Sequence, residues 1–280
     1  MLKKDKFKVI RTFFIVVILV AAFLIIDTNC ISTGRYTTGN KDLPEAFDGF
    51  KIVEVADLHN KGFGIDQNYL MYKIKKENPD IIVVTGDLVD RRKWGTKNAM
   101  LFIDKAVEVA PVYFVSGNHE VWSGKYDYIK DLLLEKGVIV LDDETRVIKK
   151  GNDKISISGI IDTGFEDRED YADKIIEEVS IEAKEKADYN ILLSHRPEHM
   201  DDYVNSDFDL VFSGHAHGGQ FRIPFVGGVY APHQGFMPKY TGGIYKEENT
   251  EMILSRGLGN STIPVRIFNM PEITVTKLEN

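Results

Sequence analysis

Seven histidines occur in the 280 residues, and five of them stand in short polar clusters that close apolar, β-rich runs. The clusters are Asp57-Leu58-His59, Gly86-Asp87, Gly117-Asn118-His119, His195, and Gly214-His215-Ala216-His217. A single histidine after a strand is usually a cap or a surface residue. Five strand ends that each supply imidazole, carboxylate or amide oxygen are not what packing selects, because packing favours small or apolar side chains there. In open α/β sheets, ligands bind beyond the carboxyl ends of the strands, so the five clusters are expected to converge. Donors of these types, without thiolate, suit manganese, iron(II) or zinc. Asp57, His59, Asp87, Asn118, His195, His215 and His217 suffice for two ions, each with four donors if Asp87 is shared. Two ions about 3.5–4 Å apart generate hydroxide at neutral pH and clamp an in-line displacement at phosphorus. Gly86, Gly117 and Gly214 each precede a candidate ligand, where a sharp turn or a close backbone approach calls for glycine.

The elements that must position these groups follow from periodicity. Short β-rich runs alternate with helical patterns, the layout of layered α/β folds. The expected strands are Lys51 to Ala56, Ile81 to Thr85, Val112 to Ser116, Val138 to Leu141, Lys154 to Ile160, Asn190 to Ser194 and Leu210 to Ser213, with two more near Met252 to Ser255 and Ile273 to Lys277. Helices are expected near Gln67 to Glu77, Asn98 to Val109, Lys125 to Lys136 and Asp170 to Lys186. No internal repeat is visible. Residues 31–48 are polar and read as a linker to a domain over 49–280.

The first 30 residues differ from the rest. Lys3, Lys4, Lys6, Lys8 and Arg11 precede an apolar run from Phe13 to Ile26, closed by Asp27. A cleaved signal peptide would carry a small-x-small site after the run, and Asp27-Thr28-Asn29-Cys30 offers none. The segment therefore reads as an uncleaved single-pass anchor. The basic tail then stays in the cytoplasm and the domain is extracytoplasmic. The one cysteine, Cys30, cannot form an internal disulfide. Setting aside the five basic and two acidic side chains of this segment leaves 30 basic against 41 acidic, a balance of −11. Nucleic-acid binding rests on basic surfaces, so no nucleic-acid partner is expected, and the positive charge needed to handle phosphate would come from bound metal.

The ordered series Asp57-x-His59, Gly86-Asp87-x-x-Asp90, Gly117-Asn118-His119-Glu120, Ser194-His195 and Gly214-His215-x-His217 resembles the calcineurin-like metallophosphoesterase superfamily, all five of whose blocks are present in order. Gly214 to Gln220 and Ser255 to Gly259 are similar to stretches of its membrane-associated bacterial branch. The resemblance implies a layered sandwich, two β-sheets packed together with helices outside. It implies that Asp57, His59 and His217 hold one metal, that Asn118, His195 and His215 hold the other, and that Asp87 bridges them. It also implies that His119 contacts the scissile phosphate or protonates the leaving oxygen. The implied reaction is hydrolysis of phosphodiester, phosphomonoester or diphosphate bonds by a metal-activated hydroxide, on a phosphorylated small molecule or a lipid-linked substrate. Part of the branch cleaves the diphosphate of a UDP-diacylglucosamine-type substrate, a cytoplasmic setting that conflicts with the topology expected here.

Other residues carry weaker readings. Asp90 and Glu120 are expected to orient a ligand or the His119 ring, or to lie solvated at the surface. His199 is expected at the surface, and His233 as a surface residue or a substrate contact. Trp94 and Trp122 each follow a ligand motif by a few residues and could line the pocket or face a lipid surface, with core packing the expected use. Gly218 and Gly219 could leave room for substrate, and Phe221 to Tyr245 reads as a substrate wall or an irregular hairpin. A membrane-anchored, non-catalytic metal-binding protein would be expected to lack His119 or a ligand, and none is lacking. A di-iron redox enzyme would draw its ligands from the helices of a bundle, not from strand ends.

Overall fold

The computed structural model describes residues 2–164, 171–261 and 263–280. It contains two six-stranded sheets. The first has β1 (Ser32–Thr38), β16 (Glu272–Leu278), β2 (Lys51–Val55), β3 (Ile81–Thr85), β4 (Val112–Val115) and β5 (Ile139–Val140) in that spatial order. Strands β2 to β5 are parallel, and β16 runs antiparallel to β2. The second sheet has β14 (Gly243–Glu247), β15 (Thr250–Leu254), β9 (Leu210–Ser213), β8 (Asn190–Leu193), β7 (Asp153–Gly159) and β6 (Glu144–Lys150). Here β15, β9, β8 and β7 are parallel, with antiparallel β14 and β6 at the edges.

The period-2 alternation of side chains divides the core into three layers. Ile52, Val83, Tyr113 and Val115 of the first sheet face Ile157, Ile191, Leu193, Phe212 and Ile253 of the second. The alternate residues Val53, Val55, Ile82, Val84 and Phe114 instead pack against α2 (Asn68–Glu77), α3 (Lys97–Ala106) and α5 (Tyr126–Glu135). On the far side, Leu192, Val211, Met252 and Leu254 pack against α6 (Ala172–Lys186) and α7 (Met200–Asn205). Buried on both faces, the central strands read as near-continuous apolar runs, and each fully buried Val, Leu, Ile or Phe contributes about 1.5–3 kcal/mol. The layered sandwich is the expected fold.

The differences are local. Ser32–Thr38, read from sequence as part of a linker, is strand β1, aligned with β16 in seven parallel residue pairs. Its Gly and Thr content suits an edge strand with little burial, which leaves a weak apolar signature. Asp170, where a helix was expected to start, lies outside the described residues, and α6 is seen from Ala172. Also not expected were the short helix α4 (Asn118–Trp122) and the edge strands β6 and β14. The Phe221 to Tyr245 segment forms two small hairpins, β10 (Arg222–Ile223) with β11 (Gly227–Gly228) and β12 (Tyr230–Ala231) with β13 (Gly235–Phe236), before entering β14.

At the amino terminus, α1 (Leu2–Asn29) carries an apolar stretch, Lys6–Asn29, long enough to cross a membrane, with mean hydropathy 3.0. Its apolar side chains are largely exposed, and its last two turns, from Phe23 onward, touch the domain. Lys61 Nζ donates to the Thr28 carbonyl (2.7 Å), and the Asn269 N–H donates to Asp27 (3.0 Å).

Candidate metal centre

The carboxyl ends of β2, β3, β4, β8 and β9 meet at one edge of the sandwich, and each delivers its cluster there. Asp57 and His59 follow β2, Asp87 follows β3, Asn118 and His119 open α4 after β4, His195 follows β8, and His215 and His217 follow β9. Asp57, His59, Asp87, His215 and His217 all have φ between 47° and 67°. Non-glycine residues adopt this region at a cost, Asp and His more readily than most, and where several such residues gather, a functional site is a common reason.

Two glycines meet where β3 and β4 end. A Cβ on Gly117 would lie 2.4 Å from the Asp87 amide nitrogen, and one on Gly86 (φ +87°) would lie 2.5 Å from the Gly117 nitrogen and 2.8 Å from His195 Nδ1. Only hydrogen fits at either position. By contrast Gly218 makes room for Asn269, whose Oδ1 lies 2.1 Å from a Cβ built there, rather than for substrate.

Around Asp87 the donors fall into two groups. On one side His59 Nε2 lies 3.6 Å from Asp87 Oδ2 and 3.1 Å from His217 Nε2, which is itself 3.6 Å from Asp57. On the other, His195 Nε2 lies 3.5 Å from the same Asp87 oxygen, 3.2 Å from Asn118 Oδ1 and 3.0 Å from His215 Nδ1. Two ligands at about 2.1 Å from an ion and at right angles would be about 3.0 Å apart, so the spacing fits metal ligation. All seven side chains are buried, none more than 7% exposed.

The electrostatics point the same way. Burial lowers His59 to about 3 and holds His215 and His217 well below the usual histidine range, so these rings are neutral with lone pairs free. Burial also pushes Asp57 up to about 7, with the Asp87 charge adding to it. Burial presses His195 toward its neutral form, yet the Asp87 carboxylate outweighs it and lifts this ring to about 10, while Asp87 itself is held well below the carboxylate range. Among the described residues, the only ion-pair partners of Asp57 and Asp87 are histidines. The pocket therefore calls for positive charge that no Lys or Arg side chain supplies at contact distance, and a cation meets that need.

The surrounding groups hold this frame. His195 Nδ1 donates to the Thr85 carbonyl (2.8 Å), which leaves Nε2 free to face the cavity. The His215 N–H donates to Asp57 (3.1 Å), and the His119 N–H donates to Asp87 Oδ1 (2.7 Å). Glu120 is fully buried: Oε2 accepts the N–H groups of Asp87 and Gly117, each at 2.8 Å, and Oε1 accepts that of Val89 at 2.9 Å. This is the N3 residue of α4 reaching back to its N-cap, extended to a second loop. Asp90 lies 3.3 Å from His119 Nδ1, which also accepts the Arg91 N–H (3.2 Å). Both residues thus act on their neighbours rather than at the surface.

Sequence reasoning missed Asp162, Arg196 and Glu198. Arg196 forms a buried bidentate pair with Asp162 (2.9 and 3.1 Å) directly after His195. Glu198 lies 3.4 Å from His233, whose Nδ1 is 3.0 Å from His215 Nε2. The missed signal was a sixth strand end, since Asp162 follows β7 as the other clusters follow their strands. His199 is half-buried and pairs with Asp202 (3.2 Å). Trp94 and Trp122, expected in the core, are 40% and 41% exposed. Trp122 lines the cleft with Arg91 stacked 4.7 Å from its ring, and Trp94 carries Lys125 at 4.0 Å. His119, Asn118, Asp87, His217 and His233 line the same cleft, of about 260 Å³. A larger cavity of about 590 Å³ opens among Asn40, Asp188 and Asp209, at the opposite strand ends and away from this cluster.

Residues 50–219, which carry every one of these clusters, match the family model described as calcineurin-like phosphoesterase. The chain belongs to that family. It is 29% identical to the metallophosphoesterase YkuE of Bacillus subtilis over 91% of this chain and 88% of the relative. It is 30% identical to the metallophosphoesterase Cj0846 of Campylobacter jejuni over 94% of this chain and 68% of the relative, and 28% identical to the phosphodiesterase YaeI of Escherichia coli over 82% of each. Family and site together make this calcineurin-like phosphoesterase a metal-dependent hydrolase that takes divalent metal and acts on phosphorylated substrates.

Proposed function

We propose that the centre is binuclear, with Asp57, His59 and His217 holding one ion, Asn118, His195 and His215 the other, and Asp87 bridging. The observation that carries this reading is that one Asp87 oxygen sits 3.6 Å from His59 Nε2 and 3.5 Å from His195 Nε2, between two separate donor groups. Manganese, iron or zinc suits these ligands, and two such ions supply a nucleophile at neutral pH and charge for the phosphoryl oxygens. The protein does the rest. Asp87 accepts the His119 N–H, and Nδ1, beside Asp90, accepts the Arg91 N–H, so the opposite ring nitrogen is the one left to give a proton to the leaving oxygen. Burial favours the neutral His119 ring, while Asp87 and Asp90 favour its charged form.

In this reading α1 anchors the chain as a single-pass segment, with the basic tail in the cytoplasm and the domain outside, and the substrate is a lipid-linked or small phosphate ester or diphosphate. An apolar side cavity of about 570 Å³ that shares His217 with the cleft supports a substrate with a hydrocarbon part. A UDP-diacylglucosamine-type diphosphate has such a part, but its cytoplasmic setting conflicts with this orientation.

The test uses the full chain in detergent, stripped of metal by chelator and resupplied with manganese, zinc or iron. Elemental analysis should return two ions per chain. Hydrolysis of bis(p-nitrophenyl) phosphate and p-nitrophenyl phosphate should disappear on stripping and return on loading, but not in Asp87→Asn. One ion per chain, or full turnover in Asp87→Asn, would sink the binuclear reading.

A further inference from the structure

Beside the metal cleft lies an apolar rim that continues outward from the side cavity, which Phe236 and Ile263 also line, and whose outer side chains the proposed chemistry leaves unexplained. It is built by the two hairpins over 221–237 and the loop 263–270. Ile223, Phe225, Phe236, Met237, Ile263 and Phe268 are all more than 40% exposed there, with Phe225 at its hairpin tip fully so. From Phe221 to Pro238, and again from Gly257 to Pro271, the chain has no Asp or Glu, although residues 31–280 carry 41 acidic side chains. Large apolar groups cleared of carboxylates mark a surface that meets something other than water.

The rim is continuous with the end of α1. The Phe268 ring lies 5.1 Å from Phe23, Thr28 accepts the Arg266 N–H (3.2 Å), and Asp27 accepts that of Asn269. Phe221 pairs with Ile267, and the Arg222 N–H donates to the Ile267 carbonyl (3.0 Å), which draws the Phe225 hairpin to the same side. Phe23 belongs to the apolar run that ends at Ile26. The 14 unbroken apolar residues from Phe13 to Ile26 span about 21 Å at 1.5 Å per residue. The hydrocarbon core measures about 30 Å. A span shorter than the hydrocarbon is met by local thinning of the bilayer, which brings the headgroup region to the groups that flank the helix end, and here those groups are the rim.

We propose that the rim is a second membrane contact, seated in the headgroup region of the bilayer that α1 crosses, so that the metal cleft opens onto the lipid surface. The proposal rests on α1 being an anchor. The partner is the lipid surface, because the apolar side chains project from hairpin tips and a loop around the helix end, where a bilayer already lies. Asn269 ties this contact to the site: its side-chain amide donates to the His217 carbonyl (2.8 Å), while its backbone is held by Asp27.

The experiment places a nitroxide label on the full chain in vesicles of phosphatidylcholine and phosphatidylglycerol, in a Cys30→Ser background that removes the single cysteine. Labels go at Phe225→Cys and Phe236→Cys on the rim, at Phe14→Cys in α1, and at Ile181→Cys on the exposed face of α6. Collision with oxygen, which concentrates in the bilayer, is compared with collision with a water-soluble nickel chelate. The rim labels should lose nickel collisions and gain oxygen collisions relative to Ile181→Cys, as Phe14→Cys does. Rim labels as open to nickel as Ile181→Cys, with Phe14→Cys protected, would overturn the second contact and leave the anchor standing. Nickel access at Phe14→Cys would overturn the anchor as well.

Discussion

Replacing Glu120 by glutamine tests how the ligand frame is held. The side chain is fully buried, and its two oxygens accept three backbone N–H groups, from Asp87, Gly117 and Val89. Burial and then the Asp87 charge push this carboxyl up to about 8, against the pull of the Val89 and Gly117 N–H groups. A protonated acid would turn its O–H toward an N–H, with no acceptor among the described partners, so all three donors are satisfied only in the ionised form, which a carboxyl at about 8 holds above that pH, where the comparison is made. In Glu120→Gln the amide oxygen can keep the two N–H groups at Oε2, but the NH₂ then faces the Val89 N–H, two donors with no acceptor. The orphaned N–H costs about 1–3 kcal/mol, and turning two charge-assisted bonds into neutral ones costs roughly another 1 kcal/mol each. The sum, about 3–5 kcal/mol, is a large share of a typical 5–15 kcal/mol stability. For a domain of this size it should lower Tm by about 6–20 °C. Thermal unfolding of the metal-free full chain in detergent, followed by circular dichroism, reads this directly. A shift below about 2 °C would refute the reasoning and show that Glu120 is already protonated, and so already a glutamine in all but name.

Two other changes probe the chemistry and its support. His119→Asn should lower kcat by about 10²–10⁴-fold with metal content unchanged, measured by steady-state hydrolysis beside elemental analysis; equal losses of metal and rate would make His119 a structural residue. Arg196→Met strands the buried Asp162 carboxylate, which should cost about 3–5 kcal/mol in urea unfolding, and Asp162→Asn added to it should recover part of that loss.

How much of this was legible beforehand depends on the kind of residue. The central strands of both sheets could be read because they are buried on both faces, so Ile81 to Thr85 and Leu210 to Ser213 are apolar without interruption, and their bounds match β3 and β9. The edge strands β1, β6 and β14 could not, because one side of each lacks a neighbour and their composition is mixed. The metal-type donors were visible because imidazole and carboxylate at strand ends have no packing use, whatever the surrounding loops do.

Contacts across the chain were decided only by the tertiary structure. Glu120 and Asp90 looked alike in sequence, and burial beneath three N–H donors separates one from the other. Asp162 and Arg196 are 34 residues apart and meet only because β7 and β8 are neighbours in the second sheet. Trp122 left the expected core for the wall of the cleft, and Gly218 proved to accommodate Asn269, 51 positions further on. The residue types by themselves determined which atoms were available for chemistry, since that is a property of side chains and local periodicity. Which of them are dry, which share a carboxylate and which hold the others in place depends on strand order and register, and these exist only once the two sheets have packed.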